Sequence, residues 1–157
     1  MGFVVAYIVQ EKGFVGLGPS RSRQLYEEFG CGLVDALLEG SELIAKLVGR
    51  KRTFDITQIA AEHLGALRFA RELDELCISH FLTVSEAMPV IRAHKAVVSG
   101  SLREDPFVLG AVLPWSKLKK IALHLGIDSS DVRFVMAAID EEFRQMRISG
   151  SLPQHSQ

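Results

Sequence analysis

Apolar residues recur along the chain at the three- and four-residue spacing of amphipathic helices. The clearest example lies near the C-terminus, where a helix beginning near Ser129 or Ser130 carries one continuous apolar stripe. Shorter periods of the same kind fill much of the chain. This pattern predicts an all-α fold of short helices, paired as helix-hairpin-helix units in a bundle-like arrangement. The residues of the C-terminal stripe are Val132, Val135, Met136, Ile139, Phe143 and Met146.

Glycine and proline residues separate these apolar periods into individual helices. By periodicity alone, residues 3–12 fit a strand or a short helix. Pro19 suits the first turn of a helix, and Gly30 suits its end. Gly40 interrupts the apolar period over residues 33–48, which predicts two short helices there.

A basic segment precedes the next predicted helix. Residues 49–52, Gly-Arg-Lys-Arg, indicate an exposed turn. A longer helix, capped by Asp55 or Thr57, is predicted to run to about Ile78. Further helices are predicted after a capping box at Thr83 and Glu86 and from about Trp115 to Leu125.

The composition is that of an ordinary globular protein. The 157 residues are 48% hydrophobic and 24% charged, which suits one domain or two small ones. The sequence predicts a helix-hairpin-helix DNA-binding subdomain at residues 1–52. It predicts a second helical subdomain, with a helix-turn-helix-like hairpin, at residues 53–150, and a flexible tail at residues 151–157.

The net charge limits how the chain can bind nucleic acid. Lysine and arginine total 18 against 19 aspartate and glutamate, a formal net charge of −1. A free-standing DNA-binding protein usually carries a basic excess, because contacts with phosphates supply much of its binding energy. Any DNA contact is therefore expected to be local and weak alone, as in a module of a larger machine.

Patterns for several kinds of chemistry are absent from the sequence. It has no Gly-x-x-x-x-Gly-Lys-Ser/Thr loop for nucleotide phosphates, no close pair of metal-ligating histidines, and no serine or cysteine nucleophile motif. We expect no cofactor, no metal site and no catalytic residue. By itself the chain is not expected to be an enzyme, although it could form part of an ATP-dependent DNA helicase.

The cysteines and the N-terminus bear on the cellular compartment. Cys31 and Cys77 form no disulfide framework or zinc pattern, which predicts two reduced, partly buried thiols in a cytosolic protein. The apolar run at residues 3–9 lacks the features of a signal peptide and is too short to span a bilayer. We expect a cytoplasmic protein with no membrane partner.

One motif carries specific information about function. Residues 15–19, Val-Gly-Leu-Gly-Pro, precede the small residue Ser22, which is the pattern of a helix-hairpin-helix. The hairpin glycines can adopt positive φ and let a phosphate approach the N–H groups that begin the second helix. Ser22 must be small because the two helices cross there. The predicted DNA-binding residues are Gly16, Leu17, Gly18, Ser20, Arg21, Arg23, Arg50, Lys51 and Arg52.

The same region resembles a known family. Residues 6–30, AYIVQEKGFVGLGPSRSRQLYEEFG, resemble the first helix-hairpin-helix of RecD-like superfamily 1 DNA helicases. This likeness favours a helix at residues 3–12. Residues 104–110 (EDPFVLG), 121–127 (IALHLGI) and 150–153 (GSLP) resemble later segments of that family in the same order.

The middle of the chain departs from the family pattern, so the likeness covers about residues 6–40 and 104–153. Residues 47–50 keep one of the two hairpin glycines, and residues 81–87 keep only the small residue. These segments are predicted to be degenerate hairpins that bind no phosphate. Lys119 is a further departure, near the family's aspartate.

The resemblance implies a non-sequence-specific DNA-binding accessory module of a RecD-like helicase or exonuclease, acting in DNA repair or recombination. The expected partners are DNA, single-stranded or at a junction and contacted through its backbone, and the motor domains of a helicase.

Two alternatives remain open from the residues themselves. Residues 121–135 also fit a helix-turn-helix, as in a dimeric transcriptional regulator that reads DNA with residues 128–134. Asp128 and Asp131 in that segment are unfavourable against the phosphate field. The other alternative is a protein-interaction scaffold whose degenerate hairpins have lost DNA binding.

Overall fold

The fold is all-α, as predicted. A computed structural model describes residues 2–95, 102, 106–111 and 113–149. Within these ranges there are nine α-helices, three 3-10 helices and no strand, and no helix there is both long and apolar enough to cross a membrane. The α-helices are α1 (Phe3–Gln10), α2 (Pro19–Phe29), α3 (Leu33–Glu39), α4 (Glu42–Val48), α5 (Arg50–Glu62), α6 (Leu64–Glu75), α7 (Val84–Ala93), α8 (Trp115–His124) and α9 (Val132–Ser149). The 3-10 helices are Gly30–Gly32, Ile78–His80 and Pro106–Ala111.

The chain divides into two compact units, Met1–Glu104 and Asp105–Gln157. The first contains α1 to α7, and the second contains α8 and α9. The boundary predicted between residues 52 and 53 falls inside α5, which packs against both α3 and α4. The predicted tail at residues 151–157 lies outside the described residues.

Helix α1 is the buried centre of the first unit. All residues from Phe3 to Ile8 are buried, and the helix packs against α2, α6 and α7. A helix in this position cannot rely on water to satisfy its first N–H groups. Asp74 of α6 provides the missing acceptor: its carboxylate accepts hydrogen bonds from the amides of Phe3 at 2.7 Å and Val4 at 3.1 Å. Burial raises the pKa of Asp74, and these amide hydrogen bonds oppose the shift in part.

A second buried polar contact joins α1 to the start of α6. The Tyr7 hydroxyl lies 2.5 Å from Nδ1 of His63, which immediately precedes α6. Phe14 covers the imidazole edge-on, with ring centroids 5.8 Å apart. Burial raises the pKa of Tyr7 to about 12 and lowers that of His63. Both side chains are therefore neutral near pH 7, which suits a hydrogen-bonded pair in an apolar setting.

The first hairpin joins α1 to α2, and these two helices pack against each other. Ser22 is fully buried, and its hydroxyl donates to the carbonyl of Leu17 at 3.2 Å. Its amide donates to the carbonyl of Gly18 at 2.9 Å. Because Ser22 is fully buried, a larger side chain there would have to displace its neighbours, which agrees with the small residue predicted at this position.

Two later hairpins repeat this arrangement with different residues. Gly49 precedes α5, and Thr53, four positions on, is buried and donates its hydroxyl to the Gly49 carbonyl at 2.7 Å. Thr83 precedes α7, and Ala87, again four positions on, is fully buried. Thr83 and Glu86 form the predicted capping box. The segments predicted as degenerate hairpins, residues 47–50 and 81–87, thus belong to hairpins that keep a buried residue four positions after the residue that precedes the second helix.

Two predictions about the central helices were wrong. Residues 50–52 are exposed as predicted, but they form the first turn of α5 instead of a turn before it, and Gly49, with φ +90°, precedes the helix. The single helix predicted from residue 55 or 57 to Ile78 is broken at His63, which divides α5 from α6. No glycine or proline lies at His63 itself, although Gly65 follows in the first turn of α6. The break coincides with the hydrogen bond between Tyr7 and His63.

Smaller corrections concern the cysteines and the last helix. Cys31 and Cys77 are free as predicted but exposed, not partly buried. Helix α9 begins at Val132, later than predicted, because Asp128 and Asp131 occupy a capping turn. The amide of Ser130 donates to Asp128, and the amide of Arg133 donates to Asp131, both at 2.9 Å.

Three aromatic residues form the core of the second unit. Trp115 stacks on Phe107 with centroids 6.1 Å apart, and Phe134 of α9 meets both rings edge-on. Ala122 and Ile127 complete this cluster. The unit is therefore held by aromatic packing between α9 and the segment that contains α8.

Acidification below pH 6.5 is expected to destabilise the first unit through His63. Because its folded-state pKa lies below the ordinary value of 6.5, the unfolded chain takes up a proton that the folded chain refuses. Stability due to His63 is fully present above that pH and is lost as pH falls through the folded-state pKa. Urea denaturation above and below pH 6.5 should show a larger loss in the wild type than in His63→Gln. An equal loss in both would contradict this role.

Candidate nucleic-acid interface

The turn between α1 and α2, residues 14–17, is compact and fixed by buried side chains, and we call it the hinge of the first hairpin. Phe14 and Leu17 are buried, and the amide of Leu17 donates to the carbonyl of Phe14 at 3.2 Å. Gly16, between them, has φ +88°, in the left-handed region that glycine tolerates best. Leu17 therefore contributes its side chain to the core, and its amide and carbonyl already bond to Phe14 and Ser22.

Gly18 begins α2 at an open surface. Its backbone, with φ −77° and ψ −175°, is extended and accessible to any residue. A Cβ built there would meet nothing within 4 Å. Neither backbone strain nor packing within the described residues therefore explains a glycine at this position.

The first turn of α2 has no side-chain cap. Gly18 offers no acceptor, and Pro19 has no N–H, so the amides of Ser20 and Arg21 lie at the positive end of the helix without an intrahelical acceptor. In helix α7, in contrast, the amide of Glu86 donates to the hydroxyl oxygen of Thr83 at 3.2 Å. The start of α2 is thus suited to accept an external anion.

Two arginines lie against Gly16 from different helices. Nη1 of Arg21 donates to the Gly16 carbonyl at 3.1 Å. The side chain of Arg52, from α5, passes so close that a Cβ on Gly16 would lie 3.3 Å from its Cδ and Nη1. Within the described part of the chain, neither arginine forms an ion pair with a carboxylate. Two cationic groups therefore meet at one turn without a compensating acid.

The sequence around this turn is locally basic. Residues 12–26 and 43–54 contain seven of the 18 lysines and arginines and no aspartate or glutamate. Because the Arg52 side chain lies beside Gly16, these two segments are neighbours in space. Positive charge is thus concentrated beside the first hairpin, although the net charge of the whole chain is −1.

The structure brings together only some of the predicted binding residues. Gly16, Gly18, Ser20, Arg21 and Arg52 surround the start of α2, and we call these five residues the hairpin site.

The other predicted binding residues lie elsewhere or show no contact with the site. Arg50 lines a separate cleft that also contains Glu39 and Glu42. Arg23 is exposed, about 200° around the α2 axis from Arg21, on the other side of the buried Ser22. Lys51 is exposed in the first turn of α5. These three cations can contribute to the local field without touching the same phosphate.

The sequence alone does not distinguish Arg52 from its basic neighbours Arg50 and Lys51. That distinction depends on a contact between Gly16 and α5, which no local pattern reports. One signal was available: Gly49 and Thr53 have the same four-residue separation as Gly18 and Ser22. This spacing marks a second hairpin, and its helix carries Arg52 to the hinge of the first.

The start of α9, where a helix-turn-helix would read DNA, has the opposite electrostatic character. Asp131 accepts hydrogen bonds from the side chain and amide of Arg133, which lower its pKa to about 2. Hydrogen bonds from Ser130 lower the pKa of Asp128 as well. Both carboxylates are anionic near neutral pH, so this helix start would repel phosphate.

No metal centre is found in the described ranges, since they contain no group of three histidine, cysteine, aspartate or glutamate side chains placed to hold an ion.

Comparison with known proteins finds no matching family model, no matching curated protein and no matching solved structure. The resemblance to RecD-like helicases therefore stays a sequence-based interpretation.

Serine substitutions at the two hairpin glycines should have opposite effects on stability. Gly16→Ser would force a serine into the left-handed backbone conformation that Gly16 adopts, and its Cβ would crowd Val48 and Arg52. The substitution should therefore lower the free energy of unfolding by roughly 1–2 kcal/mol. Gly18→Ser enters open space and supplies a favoured N-cap, so it should be neutral or stabilise by a few tenths of a kcal/mol. Urea denaturation measures both; a costly Gly18→Ser would mean that the fold itself needs this glycine.

Proposed function

We propose that this chain binds the sugar-phosphate backbone of nucleic acid, without reading base sequence, at the hairpin site. The proposal depends on one observation. Gly18 lies at the uncapped start of α2, and neither backbone strain nor packing in the described structure requires a glycine there. A bare Cα there gives a phosphate direct access to the amides of Ser20 and Arg21.

The chemistry of the site fits a phosphodiester. Phosphate oxygens would accept hydrogen bonds from the amides of Ser20 and Arg21, at the end of α2 where the helix dipole favours an anion. The guanidinium groups of Arg21 and Arg52 would add charge-assisted contacts from either side. Since these groups are donors without a distinctive pattern for base edges, they suit backbone contact more than sequence readout.

The net charge of the whole chain is that of a weakly binding accessory module, not of an independent DNA-binding protein. A site with few phosphate contacts, on a chain whose net charge is −1, gives weak and salt-sensitive binding alone. We therefore infer a module that holds a single strand or a junction for a larger DNA-processing machine. The resemblance of residues 6–30 to RecD-like helicases favours the motor of such a helicase, in repair or recombination, as the partner.

Removal of Arg21 or Arg52 should lower the affinity for DNA and should make that affinity less dependent on salt. Fluorescence anisotropy with labelled single-stranded and duplex DNA of arbitrary sequence would compare wild type with Arg21→Gln and Arg52→Gln. Each substitution should reduce the slope of log affinity against log salt by about 0.7 to 0.9, the value for one lost phosphate contact. Gly18→Ser should weaken binding without loss of stability, because its side chain occupies the space of the phosphate.

Arg68→Gln serves as the matched control, since Arg68 is exposed on α6 outside the two acid-free segments. It should leave both affinity and slope unchanged. No binding by the wild type at low salt would contradict the proposal and favour the scaffold alternative. A strong preference for one duplex sequence would favour the helix-turn-helix alternative.

A further inference from the structure

Helix α9 has an apolar face opposite the side that packs into its own unit. Phe134 lies on the packed side, within the aromatic cluster. The stripe predicted from sequence lies on the other side, where Val132 is 74%, Ile139 45% and Phe143 50% exposed. A continuous row of large apolar side chains in this state is typical of an interaction surface.

The spacing of these residues is that of a coiled-coil seam. Five apolar positions on α9 are separated by four, three, four and three residues, which keeps them on one line along the helix. We call them the α9 seam. Two copies of such a seam are self-complementary, because a twofold axis between parallel helices brings each residue to its own counterpart. The α9 seam consists of Val132, Met136, Ile139, Phe143 and Met146.

The amount of exposed apolar surface matches what a stable pair of chains needs. The seam and the adjacent Val135 expose on the order of 500 Å² of apolar area per copy. A standard interface buries about 800 Å² per partner, a little over half of it apolar. The 18 residues of α9 extend for about 27 Å, enough for two heptads of contact.

The charges beside the seam favour a parallel arrangement. Glu142 lies on one side of the seam, and Arg147, five residues later, lies on the other. In a parallel, in-register pair these are the positions that form ion pairs between helices, and the pair occurs twice by symmetry. An antiparallel pair with full overlap would instead bring the two copies of Asp140 together, which is unfavourable.

We propose that the chain forms a dimer through α9, with the seams of two copies packed in parallel and in register. The α9 seam belongs to the second unit and the hairpin site to the first, so a dimer would carry two hairpin sites per assembly. Joining two weak backbone contacts in one particle raises the effective affinity for a long strand without a new contact.

Sedimentation velocity of the full chain over a wide concentration range tests the dimer. Ile139→Glu places an unpaired carboxylate in the centre of the seam and should weaken dimerisation roughly a hundredfold or more. Leu123→Glu is the matched control, because Leu123 is 56% exposed on α8 of the same unit but outside the seam. It should leave dimerisation unchanged. Circular dichroism checks that both variants remain folded.

Cross-linking tests the direction of the helices. In a Cys31→Ser, Cys77→Ser background, Val132→Cys should form an intermolecular disulfide on oxidation, since parallel seams place the two residues within about 6 Å. In an antiparallel pair they would be separated by about 20 Å. A wild type that is monomeric at every concentration would overturn the proposal, as would a dimer unaffected by Ile139→Glu. A monomer destabilised by Ile139→Glu would also overturn it, because the seam would then be packed within one chain.

Discussion

The first unit depends on the complete burial of helix α1. A helix surrounded by α2, α6 and α7 gains the hydrophobic free energy of its six buried residues, Phe3 to Ile8, but loses solvation of its first N–H groups. Asp74 supplies the acceptor at one end, and the pair of Tyr7 and His63 fixes the other half of the helix. Because α1 leads directly into the hinge, this burial also holds Gly16 and Gly18 at the surface above the core.

The three helical hairpins of the first unit share a scaffold but differ at the position that matters for an anion. Each has a small or compact buried residue four positions after the residue that precedes its second helix: Ser22, Thr53 or Ala87. At α7, Thr83 and Glu86 satisfy the first amides from within the chain. At α2 the preceding residue, Gly18, has no side chain to do so. One geometry can thus serve a structural role in one hairpin and remain open to a ligand in another.

Local signals predicted much of this fold correctly, and tertiary contacts determined the remainder. Pro19 and Gly30 marked α2, and Gly40 marked the division between α3 and α4, because these residues act through their own backbone. The break has no such residue at His63 itself, and it accompanies a side-chain contact with a residue 56 positions away. The early start of α5 was missed because three basic residues are unfavourable in a first helical turn.

The residues of the candidate site were likewise predictable from local sequence only in part. Gly16, Gly18 and Ser20 were predicted from their spacing within one hairpin. The selection of Arg52 over Arg50 depends on how α5 lies against the hinge, which no spacing within the hairpin encodes. The exposure of the α9 stripe was likewise invisible in its periodicity, because an apolar face that binds a partner has the same spacing as one that binds a core.

The most direct test of the central claim is a titration of the isotope-labelled chain with short single-stranded DNA of arbitrary sequence, followed by amide chemical shifts. We expect the largest changes at the amides of Gly18, Ser20 and Arg21, with a smaller change near Arg52. Changes concentrated at residues 128–134, at the start of α9, would contradict it. The absence of any change at low salt would contradict it as well.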